Sequence, residues 1–204
     1  MKILSKNLKL DLEKGKPVKL NLGCGEHSRK GFYSVDHLEL KGVDLVADLN
    51  KPLNLLPDDC CESVFSRHTL EHIDNIIGLM EEIHRITKKD GTVEIIVPHF
   101  SNVYAYSDPT HVRFFGLYSM SYFVSEDLQP NTRKVPAFYT SARFRVKSLK
   151  IEFYKHTLFD KLFSPTFSKL INYNIWTQNF YERRLAHLFH AWQIRYKLEP
   201  VKQY

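Results

Sequence analysis

Residues 18–26 read VKLNLGCGE, an apolar strand running straight into a Gly-Cys-Gly turn. Past the second glycine, Phe32-Tyr33-Ser34-Val35 is another short apolar run, and it ends in Asp36. Glycine reaches φ > 0 and has no Cβ, so Gly23 and Gly25, with Cys24 between them, let a ligand lie against the backbone. A carboxylate at the tip of the second strand can accept both hydroxyls of a ribose. Strand, glycine turn and acid together describe a nucleoside-binding edge. Alone, the GxG reads equally well as a tight turn after a core strand.

The rest of the first half alternates strand and helix signals. Further strand candidates are 43–47, 63–66 and 93–97, several of them near-continuous apolar runs suited to a parallel sheet buried on both faces. Ile76, Ile77, Met80, Ile83 and Ile86 recur at helical spacing across 74–87, with Asp74 as a candidate N-cap. Lys88 and Lys89 suit the C-terminal end of that helix, and Asp90-Gly91 stops it. This alternation predicts an α/β fold with a largely parallel sheet. After Pro98 the pattern changes. Residues 99–142 are loop-like, with one short helical stretch near 115–124, and are expected to form a lid or acceptor-binding insertion. Residues 143–155 read as a long strand, about 165–189 as helical, and 192–198 as a final strand.

At 204 residues the chain fits one domain. It divides into an N-terminal extension (1–17), a cofactor-binding half (18–98), the insertion (99–142) and a C-terminal hairpin with helices (143–204). No apolar run is long enough for a transmembrane segment, and residues 1–16 alternate Lys with Leu without an apolar core like that of a secretion signal. Three cysteines, two of them adjacent, make neither a disulfide framework nor a CxxC metal spacing, so a reducing, cytoplasmic setting is expected. The net charge of +6 is unevenly placed: residues 1–98 carry 14 Lys and Arg against 16 acids, and residues 99–204 carry 15 against 7. The aromatic residues are skewed the same way. A basic, aromatic-rich second half points to an anionic partner, or to an aromatic core with a solvated basic face.

LNLGCG at 20–25, Asp36, VADLNKPL at 46–53, SRHTLEHI at 66–73 and EEIHRITKKDGTVEIIVPH at 81–99 occur in an order that resembles the class I S-adenosylmethionine-dependent methyltransferases, in particular the small bacterial type-11-like branch. The resemblance covers most of the chain. It implies a Rossmann-like, seven-stranded, mostly parallel sheet with helices on both faces and an antiparallel last strand, and S-adenosylmethionine (SAM) as cofactor. Gly23, Cys24 and Gly25 then form the turn at the amino-acid end of SAM, Asp36 binds the ribose, and Asp48 with the Leu49 backbone reads the adenine. Arg67 and His68 stand where the methyl donor meets its acceptor. One departure is local: only about seven residues separate the first two strands, whereas a parallel crossover takes roughly a dozen or more. A nicotinamide dehydrogenase is the rival for a glycine turn on such a sheet, but Ser28 occupies the place where the dinucleotide fingerprint wants Gly or Ala.

On the acceptor side, PHFSNVYAYSDPTHVRFF at 98–115 gathers His99, Asp108, His111 and Arg113 beside the expected mouth. Methyl transfer is an in-line displacement, so the nucleophile must be held close and on axis. A hydroxyl nucleophile also needs a base, for which neutral imidazole is suited near pH 7. His111 oriented by Asp108, with His99 nearby, is the catalytic expectation. Arg113 and Tyr106 are the candidate acceptor contacts, Arg113 by bidentate pairing with phosphate or carboxylate. Asp-Pro-Thr-His also reads as a turn and cap. A metal held by His99, Asp108 and His111 has the right ligand chemistry but matches no compact motif, so none is expected.

The motifs for amino methylation of bases are absent after the fourth strand, and no cysteine is placed for carbon methylation. The expected activity is O-methylation of an anionic small-molecule or glycan-type acceptor, such as a sugar of a surface polysaccharide or its nucleotide- or lipid-linked precursor. RNA methylation, favoured by basic charge with interleaved aromatics, and a non-catalytic SAM-binding role are the alternatives.

Overall fold

The computed structural model describes residues 1–202, with the backbone alone at Phe159. Its centre is strand β2, Val18–Leu22, which follows β1 (Lys2–Ile3) and helix α1 (Lys6–Glu13). Val18, Leu20 and Leu22 are buried, as a strand with neighbours on both edges requires. β3 (Tyr33–Asp36), β4 (Leu45–Val46), β5 (Cys61–Arg67) and β6 (Thr87–Pro98) complete the parallel part, with α2 (Ile76–Ile86) between the last two. β7 (Phe144–Phe153), α3 (Leu158–Ile171), α4 (Ile175–Arg184) and β8 (Ala191–Pro200) follow. The strand order is β1-β4-β3-β2-β5-β6-β8-β7, with β1 antiparallel to β4 and β8 antiparallel to both β6 and β7.

The sheet therefore has eight strands against the seven expected. The additional one is β1, where Lys2 pairs with Val46 and Ile3 with Leu45. Behind it, α1 starts on the Ser5 cap, whose hydroxyl accepts the Leu8 N–H, and sends Leu8 into the core. Of the four connections from β2 to β6, only the last carries an α-helix. Leu79, Met80, Ile83 and Ile86 of α2 are buried in the core, the apolar face that its spacing predicts. The connection over residues 47–60 replaces a helix with three buried leucines, Leu49, Leu53 and Leu56. It is stapled to α2, because Glu82 accepts the Leu53 N–H at 2.6 Å and Arg85 donates to the Leu53 and Leu56 carbonyls.

The crossover from β2 to β3 has no helix at all. Asn21, buried within β2, donates to the His27 carbonyl at 3.1 Å. Arg29 lies 3.7 Å from the centre of the Phe65 ring on β5 and 4.7 Å from that of Phe32, and it pairs with Glu94 on β6 at 3.4 Å. These contacts pin a stretch too short for a helical crossover. The helical region expected at about 165–189 is two helices, each opened by a capping box, at Thr157 with Asp160 and at Asn174 with Thr177. Residues 99–142 contain only short 3-10 turns. Within them the buried Gln129 side chain donates to the Ser121, Val124 and Val135 carbonyls and accepts the Val135 N–H.

Candidate active site

At the C-terminal ends of β2 and β5 the chain makes two adjacent turns. Gly23 and Gly25 have φ of +64° and +52°. A Cβ on Gly23 would stand 2.2 Å from Thr69 Cγ2, so the two turns meet with no room for a side chain. Thr69 closes that contact by directing its hydroxyl at the Leu22, Gly23 and Arg67 carbonyls. His68, immediately before it, is held at φ +53°. Such backbone costs about 1–3 kcal/mol in a non-glycine residue and collects at functional sites. Burial pushes the Cys24 thiol above its ordinary value, which leaves it unreactive within the turn.

Asp36 ends β3, is 6% exposed, and turns its carboxylate to the glycine turn. Oδ2 accepts the Gly25 N–H at 2.8 Å, and Oδ1 takes the Leu38 N–H and the His37 ring at 3.2 and 3.1 Å. Each carboxylate oxygen has two acceptor sites, so Oδ2 keeps one for a ribose hydroxyl, and a second hydroxyl would take the place of the His37 ring on Oδ1. Asp48 is half exposed, held below the usual carboxylate range by the Asn50 N–H and Lys51. Leu49 is buried in the core. A glycine turn with left-handed backbone beside a carboxylate with a spare acceptor site suits SAM.

Beside these turns opens a cavity of about 920 Å³, lined by Asn21, Gly23, Cys24 and Gly25 on one side and by Arg67, His68, Glu71, His72, Asp108, His111 and Trp192 on the other. Tyr104 and Ala105 bring the 99–142 segment into the wall. Pockets of ~300–1,000 Å³ take small-molecule ligands. Among the described residues, neither Arg67 nor Lys30, both on the wall, has a hydrogen bond or ion pair through its side chain.

The sequence-predicted acceptor residues divide. His111 and Asp108 line the cavity, but the orienting partner of His111 is not Asp108. Nδ1 of His111 donates to the Ala105 carbonyl at 2.8 Å, whereas Nε2 lies 3.7 Å from Asp108 Oδ2, too far for a hydrogen bond. Asp108 instead accepts from the Thr110 hydroxyl and N–H, which hold it below the usual carboxylate range. His99 is fully buried off the cavity wall, with its ring nitrogens on Ser101 and Glu182 at 2.8 and 3.1 Å. Arg113 clamps the Ile73 and Asp74 carbonyls, and Tyr106 bonds the Phe100 carbonyl and stacks on Phe114; neither lines the cavity.

Three residues that the sequence did not single out stand on the wall, Glu71, His72 and Trp192, and Gln193 holds His68 from behind it. Glu71 and His72 sit on a 3-10 turn, Leu70–His72, directly after His68. A Glu-His pair between the apolar Leu70 and Ile73 was the one signal that could have found them. Gln193 comes from β8, and its Oε1 meets His68 Nε2 at 2.9 Å while its amide donates to Glu152.

A sheet of this topology with a glycine turn after the central strand defines the class I methyltransferase fold. Residues 29–95 match the family model for a methyltransferase domain. Solved structures share the fold across nearly the whole chain. A SAM-dependent methyltransferase from Archaeoglobus fulgidus aligns with a TM-score of 0.54 at 21% identity, covering 95% of this chain and 90% of that one. YcgJ of Bacillus subtilis aligns at 0.53 and 12% identity, covering 97% and 98%. A Haloferax volcanii chain, solved in complex with the Trm112 methyltransferase activator, aligns at 0.53 and 14%, covering 92% and 83%. No curated protein matches the chain. The chain therefore has the class I methyltransferase fold, and its residues 29–95 are similar to a methyltransferase domain. Among the described residues, no helix is long and apolar enough to cross a membrane.

Proposed function

We propose that this enzyme is a cytoplasmic O-methyltransferase acting on an anionic small-molecule or glycan-type acceptor, of the kind used in surface-polysaccharide assembly. The observation that carries the reading is the composition of the cavity wall. Arg67 and Lys30 offer cations with no partner among the described residues, Tyr104 and Trp192 offer flat faces for a sugar ring, and imidazoles stand where a hydroxyl proton must leave.

Gly23, Gly25, Asp36, and Asp48 with the Leu49 backbone are the residues to hold the cofactor. SAM, when bound, supplies an electrophilic methyl group on a sulfonium. His111 is the group to activate the acceptor hydroxyl. Its Nδ1 proton is fixed on the Ala105 carbonyl, so Nε2 carries the lone pair that faces Glu71 and Asp108. His68, turned by its left-handed backbone and held by Gln193, stands between the cofactor turn and the acceptor space. His99 supports the wall from beneath through Ser101, whose hydroxyl also accepts the Ala191 N–H at the start of β8. Arg113 shapes the mouth by fixing the backbone at residues 73–74.

The test is a labelled-SAM assay against fractionated polysaccharide precursors, with SAM binding followed by calorimetry. His111→Ala should lose at least ~100-fold in turnover, the usual contribution of a positioned base, and keep its affinity for SAM. Label appearing in RNA rather than in the glycan pool would refute the acceptor assignment.

A further inference from the structure

The Glu71 carboxylate is 1% exposed, and neither of its oxygens has a hydrogen-bond partner. A buried charge in that state is costly unless something compensates it. The groups facing it are histidines, and their outer contacts fix which ring nitrogen each one presents. His111 donates Nδ1–H to the Ala105 carbonyl, an acceptor only, so Nε2 faces Glu71 Oε1 at 4.0 Å as a lone pair. The Thr110 hydroxyl spends its proton on Asp108 and its carbonyl can only accept, so His72 donates through Nδ1 and Nε2 is left bare. The Gln193 amide donates to Glu152, so its oxygen takes the His68 Nε2–H, and bare Nδ1 of His68 lies 3.5 Å from Glu71 Oε1. In their neutral forms the three imidazoles thus turn lone-pair nitrogens to an unpaired carboxylate, with no donor among them.

The geometry points to a divalent transition-metal site formed by Glu71, His72 and His111, with His68 beside it. One donor atom from each of the three lies within 4.8 Å of the others. Ligand bonds of about 2.0–2.2 Å put tetrahedral donors about 3.3–3.6 Å apart, so a closure of about 1–1.5 Å completes the set. Two imidazoles and a carboxylate suit Mn²⁺, Fe²⁺, Co²⁺ or Zn²⁺, and imidazole disfavours Mg²⁺. The Ala105 and Thr110 contacts are the outer partners that metal-bound histidines have.

The site deepens the O-methyltransferase reading and rests on it. The ion binds the acceptor hydroxyl and lowers its pKa, and the proton leaves through Asp108 to solvent. The freed oxygen forms its bond to the methyl carbon as the carbon–sulfur bond breaks, and the electron pair of that bond stays on the thioether sulfur. With the ion in place His111 activates the hydroxyl through the ion that its lone pair binds, and no longer takes the proton itself.

The full chain, stripped with a chelator, would be titrated with Co²⁺ and with Mn²⁺ by calorimetry, and with SAM in a parallel sample. One ion per chain is expected, with a cobalt absorption band and a rise in melting temperature. Glu71→Gln should abolish that rise, and Thr110→Val, which touches no ion, should weaken binding by ~10–100-fold through His72. Should Glu71→Gln fail to fold, Thr110→Val on its exposed loop carries the test. Wild-type protein that binds SAM but refuses both ions at millimolar concentration overturns the metal site and leaves the methyltransferase standing. Ion binding unaltered in both variants overturns it as well. Loss of SAM binding itself would overturn the reading beneath.

Discussion

Substituting alanine at the two glycines of the turn after β2 separates backbone strain from steric strain. Gly25 has φ +52° and nothing within 4 Å of the place a methyl group would take, so Gly25→Ala meets only the left-handed penalty. That penalty is roughly 1–2 kcal/mol. Gly23 has φ +64°, and a Cβ there would fall 2.2, 2.3 and 2.7 Å from Cγ2, Oγ1 and Cβ of Thr69. Thr69 cannot rotate away without surrendering its hydroxyl contacts to Leu22, Gly23 and Arg67, and its own Cβ stays in the way. Overpacking adds about 1–3 kcal/mol, so Gly23→Ala should cost about 2–5 kcal/mol in all. With a urea slope of about 2–3 kcal/mol per molar, the unfolding midpoint should fall by about 0.5 M for Gly25→Ala and by about 1–2 M for Gly23→Ala. The assay is urea unfolding followed by tryptophan fluorescence, with the slope checked for constancy. Equal midpoints for the two variants would refute the claim that the turns after β2 and β5 are in van der Waals contact.

Three further outcomes are expected. At His68, Gly should be more stable than Ala by about 1 kcal/mol despite its greater chain entropy, because φ is +53°; chemical denaturation of the two variants decides it, and an Ala variant equal to Gly would show that the turn relaxes. Glu82 is held below its ordinary value of 4.5, first by the Arg85 hydrogen bond, so its contribution is complete above that value and is lost as pH falls through the lowered one. Stability measured from about pH 6 down to about pH 3 should therefore fall more steeply for wild type than for Glu82→Gln. The Tyr33 hydroxyl is pushed up to about 12 by its hydrogen bond to Asp11, so Asp11→Asn should return one tyrosine toward an ordinary value of 10 in an alkaline absorbance titration.

The parallel core was legible because burial on both sides writes itself as continuous apolar runs. VKLNL, YSVD and the 93–97 run are β2, β3 and the buried end of β6, and the Ile-rich period of 74–87 is α2. β7 and β8 pair antiparallel as the expected final hairpin. β1 was not legible: a two-residue strand has no period, and its membership depends on β4 being there to pair with it. At the site, the glycines and Asp36 announce themselves because few side chains can do what they do. His111 and Glu71 could not be joined from sequence, since residues forty apart meet only through the path of the 99–118 loop. Backbone carbonyls such as Ala105, which orients His111, leave no trace in side-chain identity. His99 misled for the converse reason: a histidine at a strand end looks functional, yet Glu182 from α4 folds over it.

The placement of β8 ties chemistry to the order of synthesis. This strand is made after β7 and the two helices that follow it, yet it inserts between β6 and β7, bringing Trp192 to the cavity wall and Gln193 to His68. Until it arrives, β6 presents an unpaired edge to its surroundings, a hazard for any nascent chain. A half-made molecule therefore has the glycine turn but lacks the strand that steadies the opposite wall. Competence for turnover and closure of that vulnerable edge come in a single event.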